Sequence, residues 1–161
     1  MKGSYTINNN EPKHKEGEPC SCMRCQLGEE AYNEWVNKAF GEYGWIMHYV
    51  PEDPATPFTN IHTHGFPEKF NHKDIQITYN LPMKLAGSLM HEIAGNLANG
   101  TVYEPGKKYD NVLRGYDVTF AEAEECGRPV LRMILPDKDG KFNSSHPYVH
   151  QWEGTTTPPI D

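Results

Sequence analysis

The chain has 161 residues, of which 37% are hydrophobic, and a formal charge of -7 from 15 basic and 22 acidic side chains. This length fits one domain with a sizeable core, but a mean hydropathy of -0.74 implies that part of the chain is arm or tail. The acidic balance, with no dense Lys/Arg block, excludes general nucleic-acid binding. No apolar run approaches the ~18 residues that span a bilayer, which excludes a membrane helix.

The first segment, residues 1–19, is polar and carries Asn8-Asn9-Asn10, so it is expected to be a flexible arm. It lacks the apolar core of a signal peptide. The expectation is therefore a cytoplasmic protein with reduced thiols. Next comes Cys20-Ser-Cys22-Met-Arg-Cys25. A helix follows over about Glu29 to Glu42, because Tyr32, Val36, Ala39, Phe40 and Tyr43 form one apolar stripe and Gly44 stands ready to stop it.

Trp45 to Val50 reads as a strand, and Pro51, Pro54 and Pro57 break the chain into a loop. Strands are expected at Thr59–His64 and Asp74–Tyr79. In the latter, Ile75, Ile77 and Tyr79 share one face and Asp74, Gln76 and Thr78 the other. Pro82 opens a second helix, with Leu85, Ala86, Leu89, Met90, Ile93, Ala94 and Leu97 as its buried stripe and Gly100 as its stop. Beyond it, Thr101–Tyr103, Gly115–Phe120 and Arg128–Leu135 read as strands, Gly106-Lys107-Lys108 and Pro136 to Gly140 as turns. Residues 154–161 read as a loose tail. The sum is a single α+β domain over residues 20–153, with two main helices and a mixed or antiparallel sheet of five or six short strands.

Two clusters carry metal-ligand chemistry. Cys20, Cys22 and Cys25 are spaced so that a tight turn could present three thiolates to zinc, with Cys126, His14 or another histidine as the fourth ligand. Free thiols and a redox Cys-x-x-Cys are the alternatives, the second without a thioredoxin-like βαβ unit to support it. His62-Thr63-His64 places two imidazoles on one face of a strand, able to reach one ion. His72 and Asp74 stand two apart on the next stretch and could add ligands. The alternative is polar histidines on a half-exposed sheet face. His91-Glu92 begins like H-E-x-x-H, but Gly95 replaces the second histidine, so no zincin motif exists.

Arg128 and Arg132 share parity on one strand and could hold a phosphate or carboxylate. Pairing with Glu122, Glu124 and Glu125 is the simpler alternative. His146, His150 and Gln151 would line the same cleft if the C-terminal segment folds back over the sheet.

The pieces from Cys22 to about Gln151 resemble the bacterial family known as domain of unknown function 4262. They are Cys22-x-x-Cys25 before a helix, Gly44-Trp45 leading into a strand, Thr63-x-Gly65, a helix ending at Gly100, Tyr103-Glu104-Pro105-Gly106 with Tyr109 after it, an arginine-bearing strand, and Leu135-Pro136-Asp137. The resemblance implies a fold and brings no assigned activity. Small bacterial and phage proteins of this kind include enzymes, ligand sensors and inhibitors of host systems. Many members of the family carry aromatic-Thr-aliphatic-Gly where this chain has His62-Thr63-His64-Gly65, so a His-x-His metal site would belong to a subgroup.

Three readings follow. The first is a zinc protein with metal at Cys20, Cys22 and Cys25, and a pocket of His62, His64, His72, Asp74, Arg128 and Arg132 for a small anionic ligand. The second is a metal-dependent hydrolase in which His62 and His64 hold the ion and Asp74 acts as base. The third is a phage or bacterial interaction protein whose acidic surface blocks a host defence or nucleic-acid enzyme.

Overall fold

From Glu29 to Tyr43 the chain is helical (α1), and Tyr32 and Val36, four residues apart, are its buried positions. Gly44 ends it with φ 78°, its N–H donating to the Phe40 carbonyl. The structure, a computed structural model, describes residues 27–51, 58–142 and 145–160. The expected arm and the Cys20, Cys22, Cys25 cluster, with His14, lie outside the described residues, as does most of the proline loop.

After α1 come β1 (Ile46–Pro51), β2 (Phe58–His64), a one-turn helix α2 (Phe66–Phe70), β3 (Asp74–Tyr79) and α3 (Met83–Ala98). Then come β4 (Lys108–Leu113), β5 (Tyr116–Glu125), β6 (Arg128–Ile134) and a 3-10 turn at Val149–Trp152. The strands form one mixed sheet in the order β1-β2-β3-β6-β5-β4. Every neighbouring pair is antiparallel except β3–β6 at the centre, which is parallel. The protein is α+β, one domain with two main helices.

Strand alternation sorts the side chains into two faces. On the first, Ile61, Ile75, Ile77, Phe120, Leu131 and Met133 pack against Ala86, Leu89, Met90, Ile93 and Leu97 of α3. Each buried side chain of this size contributes about 1.5–3 kcal/mol. The second face is covered in two separate places. Over β1, Tyr32 and Val36 of α1 meet Ile46. Over β5 and β6, Phe142 and Trp152 meet Ala121 and Ile134. Between these two small apolar patches one ladder row runs His48, His62, Gln76, Arg132, Ala121 across five strands. The row is polar over its first four positions, and all four are buried.

Three expectations change. Thr101–Tyr103 is not a strand. Tyr103 is buried with its ring 4.7 Å from Phe120, and the strand is β4, where only Val112 is fully buried and no alternating apolar pattern marks the element. β5 runs on to Glu125, and small Ala121 packs against Phe142 and Trp152 of the C-terminal segment. Residues 154–160, expected to be loose, lie along β5. Thr156 N–H donates to the Glu122 carbonyl and the Glu122 N–H donates to Thr157 Oγ1, both at 2.9 Å. Hydroxyl side chains and open backbone groups let this threonine-rich stretch satisfy a strand edge that would otherwise face water. No described helix is long and apolar enough to cross a membrane.

Candidate metal centre

β1 and β2 pair with His48 opposite His62 and Ile46 opposite His64. Three imidazoles thus meet on one face, each residue 6% exposed or less. One ligand atom from each of His48, His62 and His64 lies within 4.8 Å of the others, so the group could hold a metal ion. The ring centroids are 4.7 Å apart for His48–His64, 4.9 Å for His62–His64 and 5.3 Å for His48–His62. Gly65 makes the strand end possible. Its φ of 112° lets the chain turn against β1, where a Cβ would lie 2.5 Å from the Gly44 carbonyl oxygen.

His62 and His48 are oriented by neighbours. His62 Nδ1 donates to Asn60 Oδ1 at 3.0 Å, and Gln76 Nε2 donates to the same oxygen at 3.0 Å. Gln76 Oε1 in turn accepts from Arg132 Nε at 2.9 Å. With Nδ1 donating to Asn60, His62 turns Nε2 to the other side. There Glu125 Oε1 lies 3.6 Å away. His48 Nε2 is hydrogen-bonded to the Tyr32 hydroxyl of α1. A metal-binding histidine characteristically has its second nitrogen held in this way. Burial first, then the Arg128 guanidinium and the other two imidazoles, drive the His64 pKa far below its ordinary value, so the ring is neutral.

A charged arm stands beside the imidazoles. Arg128 Nε donates to Glu125 Oε2 at 2.8 Å, its NH1 donates to Asp74 Oδ2, and its NH2 donates to the carbonyl of Thr63, the residue between the two β2 histidines, at 2.8 Å. Asp74 Oδ1 also accepts from Thr63 Oγ1 at 2.9 Å and from the Phe66 N–H at 3.1 Å. Burial raises the Asp74 carboxyl above its ordinary value, and Arg128 with the two hydrogen bonds opposes that rise. For Glu125, burial is outweighed by His62 and Arg128, and its pKa falls. Burial also works against the Arg128 charge, yet its bonds to Glu125 and the charge of Asp74 hold its pKa above normal.

The structure divides the expected site residues into separate places. His62 and His64 come together, and Asp74 and Arg128 stand behind them. His72 does not join them: its Nδ1 donates to its neighbour's carbonyl, that of Lys73, at 2.8 Å, and its Nε2 accepts from the Tyr103 N–H at 3.1 Å. Arg132 is turned to Gln76, to the Gln151 carbonyl at 2.9 Å and to the Glu153 carbonyl. Both guanidiniums thus serve acceptors inside the protein rather than forming a joint fork for an anion. The C-terminal segment does fold back over the sheet. Gln151 bonds both backbone groups of Leu135 at 2.9 and 3.0 Å, and the His150 ring lies 3.5 Å from that of Phe58. Cys126 sits in the β5–β6 turn at φ 49°.

Two side chains at the candidate centre and beside it escape the sequence. His48 has no metal-ligand spacing to His62 in the chain, and only the β1–β2 register joins them. Glu125 reads as one acid in the run Glu122, Glu124, Glu125, and its burial alone sets it apart.

The fold and the group together define an α+β protein with a buried three-histidine cluster on one face of a mixed sheet. The family model described as domain of unknown function (DUF4262) matches residues 39–148, and the chain belongs to that family. Comparison with curated proteins and with solved structures gives no match.

Proposed function

We propose that this protein binds a divalent metal at His48, His62 and His64, with zinc the cation its donors favour. The observation that carries the reading is the approach of three buried imidazoles, one ligand atom each, to within 4.8 Å. Neutral imidazoles suit zinc and its first-row neighbours. The surroundings agree in charge: two buried carboxylates, Asp74 and Glu125, face one guanidinium, Arg128. A cation among the imidazoles offsets the excess. Cys20, Cys22 and Cys25 provide a second, sulfur-rich zinc site on the same proposal, drawn from their spacing.

The test is metal content per chain, by elemental analysis of the full-length protein without a histidine tag, for the wild type, His62→Ala, His64→Ala and Cys22→Ser. Metal lost from both histidine variants and retained in part by Cys22→Ser is the expected pattern. Equal metal in the wild type and in folded histidine variants overturns the reading.

A further inference from the structure

We infer that Arg132 is a positioning residue of the metal centre: through Gln76 and Asn60 it holds a proton on His62 Nδ1, and so makes Nε2 the nitrogen that His62 gives to the ion. The inference rests on the metal-binding reading above and adds what sets one of its ligand atoms.

The argument is one of hydrogen-bond polarity. A guanidinium has only donors, so whatever faces it must accept. Arg132 Nε meets Gln76 at 2.9 Å, and the amide therefore turns Oε1 to it. The NH2 end of Gln76 is left for Asn60, and donates to Asn60 Oδ1 at 3.0 Å. That same oxygen faces His62 Nδ1 at 3.0 Å, so Nδ1 is the donor. Reversing either amide would set donor against donor or acceptor against acceptor inside the protein, where an unmade bond is costly. The strand register carries the chain of bonds, with Arg132 opposite Gln76 and Gln76 opposite His62.

The guanidinium is itself held from behind. Arg132 NH1 donates to the Gln151 carbonyl at 2.9 Å and to the Glu153 carbonyl, both in the returning C-terminal segment. Arg132, Gln76 and His62 are all buried, which leaves water little room to stand in for any of them. The far nitrogen, Nε2, lies 3.6 Å from Glu125 Oε1, its ion-pair partner whenever the ring is charged. Charged or neutral, the ring keeps its proton on Nδ1. The proton on Nε2 is the one that can leave for a metal.

A metal-binding imidazole is oriented by the partner of its other nitrogen. Asn60 is that partner here, and Arg132 decides which end of Asn60 faces the ring.

The experiment is a long-range proton–nitrogen correlation spectrum of the isotope-labelled full chain, first with chelator and then with zinc. It is recorded at a pH where the His62 ring is neutral, and His62→Ala assigns the signals. In the wild type the His62 proton should sit on Nδ1, and zinc should move the Nε2 signal while Nδ1 keeps its proton. Gln76→Glu still pairs with Arg132 but offers acceptors only, so Asn60 must turn its NH2 to the new carboxylate and to His62. The His62 proton should then move to Nε2, and zinc binding, read by competition with a chromophoric chelator, should weaken about 10–100-fold. Asn60→Asp keeps an acceptor toward both neighbours, and should keep the Nδ1 proton and bind zinc at least as tightly as wild type. A wild-type proton on Nε2, or an Nδ1 proton retained in Gln76→Glu, overturns the inference. So does a loss of zinc affinity in Asn60→Asp as large as in Gln76→Glu. Proton positions as expected, with no imidazole signal moved by zinc, overturn the metal-binding reading and leave the hydrogen-bond chain standing.

Discussion

Replacing Gly65 by alanine would force a Cβ into the place where β2 turns against β1. Two costs add. The backbone there has φ 112°, and a side chain held in such a region costs about 1–3 kcal/mol. The new Cβ would also lie 2.5 Å from the Gly44 carbonyl oxygen and 2.9 Å from Trp45 Cα. Both are backbone atoms, so no rotamer relieves the overlap, and forced movement of this kind costs about 1–3 kcal/mol more. The total of about 2–6 kcal/mol is a large part of the about 5–15 kcal/mol that holds a typical domain. With a urea m-value of about 2 kcal/mol/M, the midpoint of unfolding should fall by about 1–3 M. Gly95→Ala is the control: nothing lies within 4 Å of its Cβ position in the last turn of α3, and it should gain about 0.5–1 kcal/mol. A Gly65→Ala midpoint within about 0.3 M of wild type, an effect of surface-substitution size, would refute the close-approach argument.

Other outcomes follow from the same geometry. Asp74→Ala removes the acceptor shared by Arg128, Thr63 and the Phe66 N–H, and should cost about 3–5 kcal/mol in chemical unfolding. A loss under about 1 kcal/mol, as for an exposed pair, would contradict the buried-arm reading. Zinc at about 100 times its Kd should stabilise by about 2.7 kcal/mol. Such a gain would raise Tm by about 5–11 °C, and no shift on zinc addition or chelation would count against the centre. Burial, then the hydrogen bond and charge of Tyr148, push the Tyr79 hydroxyl up to about 12 from 10.0. The folded chain holds this proton more tightly than the unfolded one. Its stabilisation is therefore complete below about pH 10 and is lost as pH rises through about 12. In a spectrophotometric titration, Tyr148→Phe should lower the Tyr79 inflection, and an unmoved inflection would break that link.

Much of the frame can be read from local pattern. Asp74–Tyr79 is both expected and observed, because alternation of isoleucines with polar residues has one structural meaning. His62 and His64 share a face for the same reason. His48 needed the pairing register, which depends on how β1 slides along β2, and no residue within β1 announces that. β4 stayed hidden because an outer strand with one fully buried residue has no apolar period. The shared parity of Arg128 and Arg132 is legible, but their destinations are not: one turns toward the carboxylates at the strand start, the other toward carbonyls of the returning C-terminal segment. His72 lies two residues from Asp74 in the chain, and a single backbone N–H, that of Tyr103, holds its Nε2 on other duty.

The parallel β3–β6 pair gives the sheet a seam. On one side stand β1, β2 and β3, successive in the chain and joined antiparallel, and on the other β4, β5 and β6, likewise successive. Each trio can assemble from near-neighbour contacts, whereas the seam must bring Asp74 beside Val130 across a long intervening stretch. Pairing at such separation is the slow part of folding. The three histidines belong to the first trio, while Glu125 and Arg128 belong to the second. The Arg128 guanidinium, bonded to Asp74 and the Thr63 carbonyl of the first trio and to Glu125 of the second, acts as a rivet across the seam. Its removal would be felt first as earlier parting of the two trios, with each hairpin set still intact.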